Sequence, residues 1–266
     1  MSMNIESMTF AMAICMAAVV LIAVLGWVYS LWADEVSIVA PLWPLMVLIC
    51  ASIFFQLSGT KGSISMALQV MIALWSLRMS YFLFIRNQDR PEQRKYRLMR
   101  IKLSSSFHFK SLASIFLSHG LSAWIASLIF AIIFYDLAQT DANWSMLHSL
   151  SVGVFVFGLI IQTVADYQLH AYNRIMERES GTYGQGLWRY SRHPNYFAEC
   201  CIWWSWGGFA LPTGNFLALV PPMFITFLMV KVKAAQEVED DIASRRKNYE
   251  NYIKNTSFMV PWRPRF

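Results

Sequence analysis

The chain has 266 residues and a formal net charge of +6, yet only 14% of its residues are charged while 56% are hydrophobic and 15% aromatic. A soluble domain of this length carries about a quarter charged residues, and here the apolar residues cluster into runs long enough to cross a bilayer. The composition excludes a string of soluble domains, and the positive charge reads as membrane topology rather than as a nucleic-acid surface.

In chain order, length and hydropathy predict seven spans, at about 8–32, 39–58, 64–86, 111–135, 147–169, 195–211 and 215–232, followed by a tail over 233–266. The first ends in an aromatic belt of Trp27, Tyr29 and Trp32. No basic leader or cleavage site precedes it, so it is expected to be a retained span. The turn Ser58-Gly59-Thr60-Lys61-Gly62 separates the second from the third, and Leu211-Pro212-Thr213-Gly214 ends the sixth. Cys15, Cys50, Cys200 and Cys201 all sit in apolar segments without metal-ligand spacing, so the thiols read as packing groups and no metal is expected.

The charges test this drawing. The segment from Arg86 to Lys110 holds eight basic residues, and the segment between spans five and six holds Arg174, Arg178, Arg189 and Arg192. Eight more lie from Lys231 onward, so the three segments hold 20 of the 22 Lys and Arg. With seven spans all three fall on one side, which the positive-inside rule makes the cytoplasm. The expected fold is an all-α integral membrane protein, a single seven-helix bundle with its N-terminus outside and its C-terminus cytoplasmic. A monomer among membrane lipids is the expected state.

Three stretches concentrate polar groups on the cytoplasmic side. Span five ends with Gln162, Asp166 and His170 (or Asn173) on one helical face. Asp166 there is either an interfacial carboxylate paired with Arg174 or a ligand contact, and a polar stripe on a membrane helix normally faces a cavity. Before span six stands Gly186-Leu187-Trp188-Arg189-Tyr190-Ser191-Arg192-His193-Pro194-Asn195-Tyr196-Phe197-Ala198-Glu199. Pro194 holds His193 extended and suits the first turn of a helix, which places Glu199 inside the span. A helix N-terminus flanked by two arginines suits a phosphate, and a carboxylate within a span is costly and usually functional. The tail opens with Glu239, Asp240 and Asp241. It ends in an aromatic, proline-punctuated stretch from Tyr249 to Trp262 that is expected to fold back on the bundle. The segment Arg90–Arg100 reads either as a basic surface at anionic head groups or as a lid over an anionic ligand. No nucleophile elbow, zincin helix, P-loop or dinucleotide-binding glycine fingerprint is present. The residues alone therefore describe a membrane enzyme with a cytoplasmic anionic cofactor and a lipophilic substrate reached from the bilayer.

The stretch GLWRYSRHPNYFAECCIWW, Gly186 to Trp204, resembles the signature of the steroid 5-alpha-reductase-like membrane reductases, particularly their bacterial branch. Leu74–Arg78 with Arg86, Tyr96–Arg100, Ala165–Gln168, and Arg245-Arg246 through Tyr249, Tyr252 and Thr256-Ser257-Phe258 to Pro261 are similar to it in the same order. The resemblance implies NADPH bound on the cytosolic side and reduction of an enone carbon–carbon double bond, as in a 3-oxo-Δ4 steroid. It implies cofactor contacts from Asp166, Asn195, Glu199 and Tyr252, with Tyr190 and Arg192 nearby and Arg78 and Arg86 near the phosphates. Glu239 would help close the site. With the polar neighbours, the expected cofactor set also takes in Gln162, Arg174, His193, Tyr196 and Tyr249. The chain departs from the pattern at Ala198, where bacterial relatives often have Gly, and at Gln56-Leu57, where steroid reductases carry Gln-Glu. Gln56 and Tyr81 are left as the catalytic candidates. The Arg-His-Pro-x-Tyr core also resembles S-adenosylmethionine-dependent isoprenylcysteine and phospholipid methyltransferases, although Glu237 and Glu239 are not the adjacent pair those carry. A third reading is a non-enzymatic sterol or lipid binder. A bacterial inner membrane is favoured over the endoplasmic reticulum, with the site facing the cytoplasm.

Overall fold

The computed structural model describes residues 5–88, 92–140, 143–175, 184–231 and 249–264. Its regular structure is helical, and the described residues contain no strand beyond an isolated bridge between Ser191 and Ser257. The helices are α1 (Ile5–Ala33), α2 (Val39–Ser58), α3 (Ser63–Gln88), α4 (Arg94–Leu103), α5 (Phe107–Ser111), α6 (Ser118–Leu137), α7 (Met146–Ile175), α8 (Pro194–Gly208), α9 (Val220–Lys231) and α10 (Tyr249–Asn255). A π turn, Leu112–Leu117, leads into α6.

Among the described residues five helical stretches are long and apolar enough to cross a membrane, and they contain the first five predicted spans. Val20, Leu21, Leu25, Leu74, Leu77, Ile125 and Ile160 stand exposed on them, which suits a lipid-facing surface and is compatible with an integral membrane protein. The sixth predicted span is shorter than expected: helix α8 has 15 residues, roughly 22 Å at about 1.5 Å per residue, against a hydrocarbon core of about 30 Å. The seventh is helical from the 3₁₀ turn Phe216–Leu219 through α9 as far as the described residues reach. Gly207-Gly208 and then Pro212 stop α8 early, and Pro221-Pro222 fit only the first turn of α9. The segment read as a loop between spans three and four also differs, because it contains α4. Arg, Lys, Leu and Met are good helix formers, and the run RKYRLMRIKL has no glycine or proline to interrupt it.

The chain divides into two compact units. The first holds α1–α6 with residues 212–215. Its core is built on α2, whose Met46 and Phe54 are fully buried, as are Leu68 and Trp75 of α3 and Phe130 and Phe134 of α6. Pro44 lacks the N–H that would close a helical bond. The neighbouring Pro41 carbonyl accepts Ser80 Oγ of α3 at 2.8 Å, and Gln69 Nε2 donates to Ser52 Oγ at 2.8 Å. Gly59, at φ 74°, ends α2 in the left-handed cap that glycine adopts without penalty. Contacts also sort the helix ends. Tyr135 Oη donates to Ser7 O at 3.0 Å, and Thr213 bonds Asp136 at that same end. At the other end Trp27 Nε1 donates to His108 O at 2.8 Å, and Arg100 pairs with Asp34 at 2.6 Å.

The second unit holds α7–α10 and the connections between them. Helices α7 and α8 approach closely at Gly158, where a Cβ would sit 3.0 Å from Ala198 O and Ile202 Cγ1 and 3.1 Å from Cys201 Cβ. Small residues at a crossing let two backbones approach. Phe155, Ile202, Trp203, Trp206 and Phe209 fill the core of this unit. Gly158→Leu is expected to separate the two helices and lower stability by about 1–3 kcal/mol, the usual cost of overpacking. A drop in thermal midpoint of the detergent-solubilised protein reads this out, with Gly153→Leu as the control, since a Cβ at Gly153 meets nothing within 4 Å.

Candidate functional site

The second unit gathers its polar groups along α7 and the start of α8. On α7, Gln162 and Asp166 are one turn apart and both buried, while Thr163, Val164 and Tyr167 on the opposite side are exposed. The predicted stripe therefore faces inward. One turn of register brings Glu199 of α8 against it. Gln162 Nε2 donates to Glu199 Oε2, and Trp203 Nε1 donates to Glu199 Oε1 at 2.8 Å. Both carboxylate oxygens thus accept an N–H, which offsets the cost of withdrawing the carboxylate from water.

The stretch before α8 is held from two sides. Gly186 has φ 57°, and a Cβ there would lie 2.5 Å from Gln168 Nε2. Only glycine fits that combination of backbone and neighbour. Gln168 Oε1 accepts Leu187 N at 3.0 Å, and the buried Trp188 donates its indole N–H to Ala165 O at 3.0 Å. These bonds fasten the loop to α7. From the other side comes the tail, as expected from its aromatic and proline-rich end. Arg192 N donates to Ser257 O at 2.8 Å, Ser191 Oγ to Met259 O at 2.7 Å, and Trp262 N to Tyr190 O at 2.9 Å. The Tyr252 hydroxyl donates to Trp188 O. Tyr252→Phe is expected to cost about 1 kcal/mol, the net worth of a hydrogen bond, and to speed amide exchange over residues 188–193 without unfolding α7 or α8.

At the N-terminus of α8, Pro194 takes the first helical position as expected and His193 stays outside the helix at φ −137°. His193 is buried, stacked on Tyr196 at 4.8 Å and edge-on to Phe258 at 4.9 Å. Arg192 Cζ lies 5.4 Å from the Phe258 ring. Asn195 opens the first turn, one turn before Glu199 on the same face, and among the described residues its Oδ1 is buried with no hydrogen-bond partner. Below the loop, Gln185, Arg189, Asn251 and Asn255 line a cavity of about 420 Å³ together with Tyr252.

The fold thus brings Gln162, Asp166, Asn195 and Glu199 onto the facing stretches of α7 and α8, with Tyr190, Arg192, His193 and Tyr196 at the head of α8. Tyr249 is buried at the start of α10, 5.7 Å from the Tyr252 ring. Arg174's side chain and Glu239 lie outside the described residues. Gln56, Arg78, Tyr81 and Arg86 belong to the first unit. Gln56 and Tyr81 are exposed there, Arg78 lies over the Phe82 ring at 5.5 Å, and Arg86 donates to Asn87 Oδ1 at 3.3 Å. Sequence reasoning missed the partners of these groups. Trp203 stands four residues after Glu199, a spacing that could have identified it. Gln168 and Ser191 act on backbone atoms, and nothing local marks them.

A family model described as "Protein of unknown function (DUF1295)" matches residues 26–256. An uncharacterized protein of Schizosaccharomyces pombe (strain 972) is 23% identical over 202 residues, a match covering 67% of this chain and 58% of that protein. No solved structure matches.

Proposed function

The chain belongs to the DUF1295 family, and from that premise we propose that it is an NADPH-dependent membrane reductase of an enone double bond in a lipophilic substrate, of the 3-oxo-Δ4 steroid kind. The observation that carries this reading is Asn195 Oδ1, a buried acceptor with no partner among the described residues, one turn from Glu199 and at the arginine-bearing head of α8. An unsatisfied buried acceptor calls for a ligand donor. A nicotinamide carboxamide has such N–H groups, and its phosphates suit Arg189 and Arg192. The residues present therefore fit the cofactor. Asn195 would receive the carboxamide, Asp166 and Glu199 would supply further acceptors, and the arginines would hold the anionic portion.

The cofactor, when bound, supplies a hydride. The protein's part is to orient it, exclude water and stabilise charge developing on the substrate carbonyl. Trp203 and Gln162 keep Glu199 in one rotamer, so the acceptor is preorganised. The proposed topology is seven crossings with the basic segments and the C-terminus in the cytoplasm, supported by 20 of the 22 Lys and Arg falling in three segments that seven crossings would put on one side. The start of α1 beside the end of α6, and the end of α1 beside α4 and α5, are in keeping with it. The proposed location is a bacterial inner membrane.

The test of activity is oxidation of NADPH by the nanodisc-embedded protein against a panel of 3-oxo-Δ4 enones, with saturated ketones as controls. Turnover confined to the enones and lost in Glu199→Gln supports the proposal. Methyl transfer from S-adenosylmethionine to a lipid acceptor, with no NADPH oxidation, overturns it.

A further inference from the structure

We propose that α4 is an interfacial helix that reads the charge of the membrane surface, docking its outer face on anionic phospholipid head groups. The proposal rests on the membrane placement above but not on the reductase reading. Helix α4 is oriented by its inner face. Tyr96 is buried, and Arg100, four residues on, bonds Glu92 at 2.9 Å and Asp34 at 2.6 Å and lies 4.5 Å from the Phe107 ring. With those two residues inward, Arg94, Leu98, Ile101 and Lys102 fall together on the outer face, with Arg97 at its flank.

That face combines two chemistries. Leu98 is 55% exposed and Ile101 77%, more than an aqueous surface needs from a ten-residue helix. Arg94, Lys102 and, at the flank, Arg97 are also exposed. A short helix carrying apolar residues framed by cations lies in the head-group plane. Each basic residue near an anionic leaflet adds attraction. The position along the bundle agrees. The Arg100–Asp34 pair fixes α4 at the end of α1 where Tyr29 and Trp32 form an exposed aromatic pair at 5.9 Å, and Phe109 just after α4 is exposed too. Exposed aromatic rings at a helix end mark the membrane interface. An aqueous protein partner would find no acidic counterpart to the apolar pair, whereas a lipid surface offers phosphate and hydrocarbon together.

The experiment is hydrogen exchange on the full chain in nanodiscs of phosphatidylcholine alone and of phosphatidylcholine with phosphatidylglycerol, repeated in high salt. Amides of residues 94–102 are expected to exchange about tenfold more slowly in the anionic discs, and salt is expected to remove the difference. The triple substitution Arg94→Gln, Arg97→Gln, Lys102→Gln is expected to abolish the lipid dependence while Arg100 still anchors the helix, and Ile101→Ser to weaken it. Equal exchange in both lipids overturns the proposal. So does protection that follows added NADPH instead of phosphatidylglycerol, which would make α4 a lid over the cofactor. Loss of NADPH binding with the lipid effect intact would count against the reductase reading alone.

Discussion

Asn195→Ala is expected to weaken NADPH binding about tenfold to a hundredfold while leaving the unliganded protein as stable as the parent. Most buried polar groups are partnered within the fold, so deleting them weakens it. Among the described residues Asn195 Oδ1 is buried without such a partner, so its loss breaks no bond there. Its worth is realised only when a ligand donates to it. Losing one buried hydrogen bond to a ligand costs about 1–3 kcal/mol, or roughly tenfold to a hundredfold in affinity. A thermal-shift titration separates the two effects: the midpoint without cofactor should match the parent, and the NADPH-dependent rise should need about tenfold to a hundredfold more cofactor. A marked fall in the unliganded midpoint would mean that Asn195 serves the fold instead.

Glu199 should behave in the opposite way. Glu199→Leu is expected to lower both stability and cofactor affinity, because Gln162 Nε2 and Trp203 Nε1 each lose their acceptor. A buried donor left unsatisfied costs about 1–3 kcal/mol, so the variant should be several kcal/mol weaker than the parent. Gln162→Leu combined with Glu199→Leu removes donor and acceptor together and should recover part of that loss, while binding stays absent. If the double variant is no more stable than Glu199→Leu, the pairing across α7 and α8 is not what holds the carboxylate. Glu199→Gln keeps the shape and one acceptor oxygen but opposes an amide N–H to one of the two donors. It should retain the fold and still lose turnover by about a hundredfold or more, as when a preorganised electrostatic group is removed.

The contrast between these residues shows what could be read from the amino-acid order. Hydropathy located α2 to the residue, because a bilayer-length apolar run with Gly59 after it leaves little freedom. The same signal overestimated α8, where Gly207-Gly208 interrupt a run that is still apolar. Helix α4 was hidden because its charge drew the reading toward a surface loop, although its residues favour helix. At the site, the inward face of Gln162 and Asp166 followed from helical spacing. The Gln162–Glu199 bond did not, since it depends on how far α8 slides along α7. That register is set by the close approach at Gly158, a contact between residues forty positions apart. The strain that makes Gly186 necessary is likewise visible only with Gln168 beside it. The unpartnered oxygen of Asn195 is a property of its surroundings, and no motif marks it.

The most direct measurement is a side-by-side titration of the detergent-purified protein with NADPH and with S-adenosylmethionine, followed by calorimetry, on the parent chain and on Asn195→Ala. The account predicts saturable NADPH binding to the parent, binding about tenfold to a hundredfold weaker to Asn195→Ala, and no heat from S-adenosylmethionine. Saturable S-adenosylmethionine binding with no response to NADPH would contradict it.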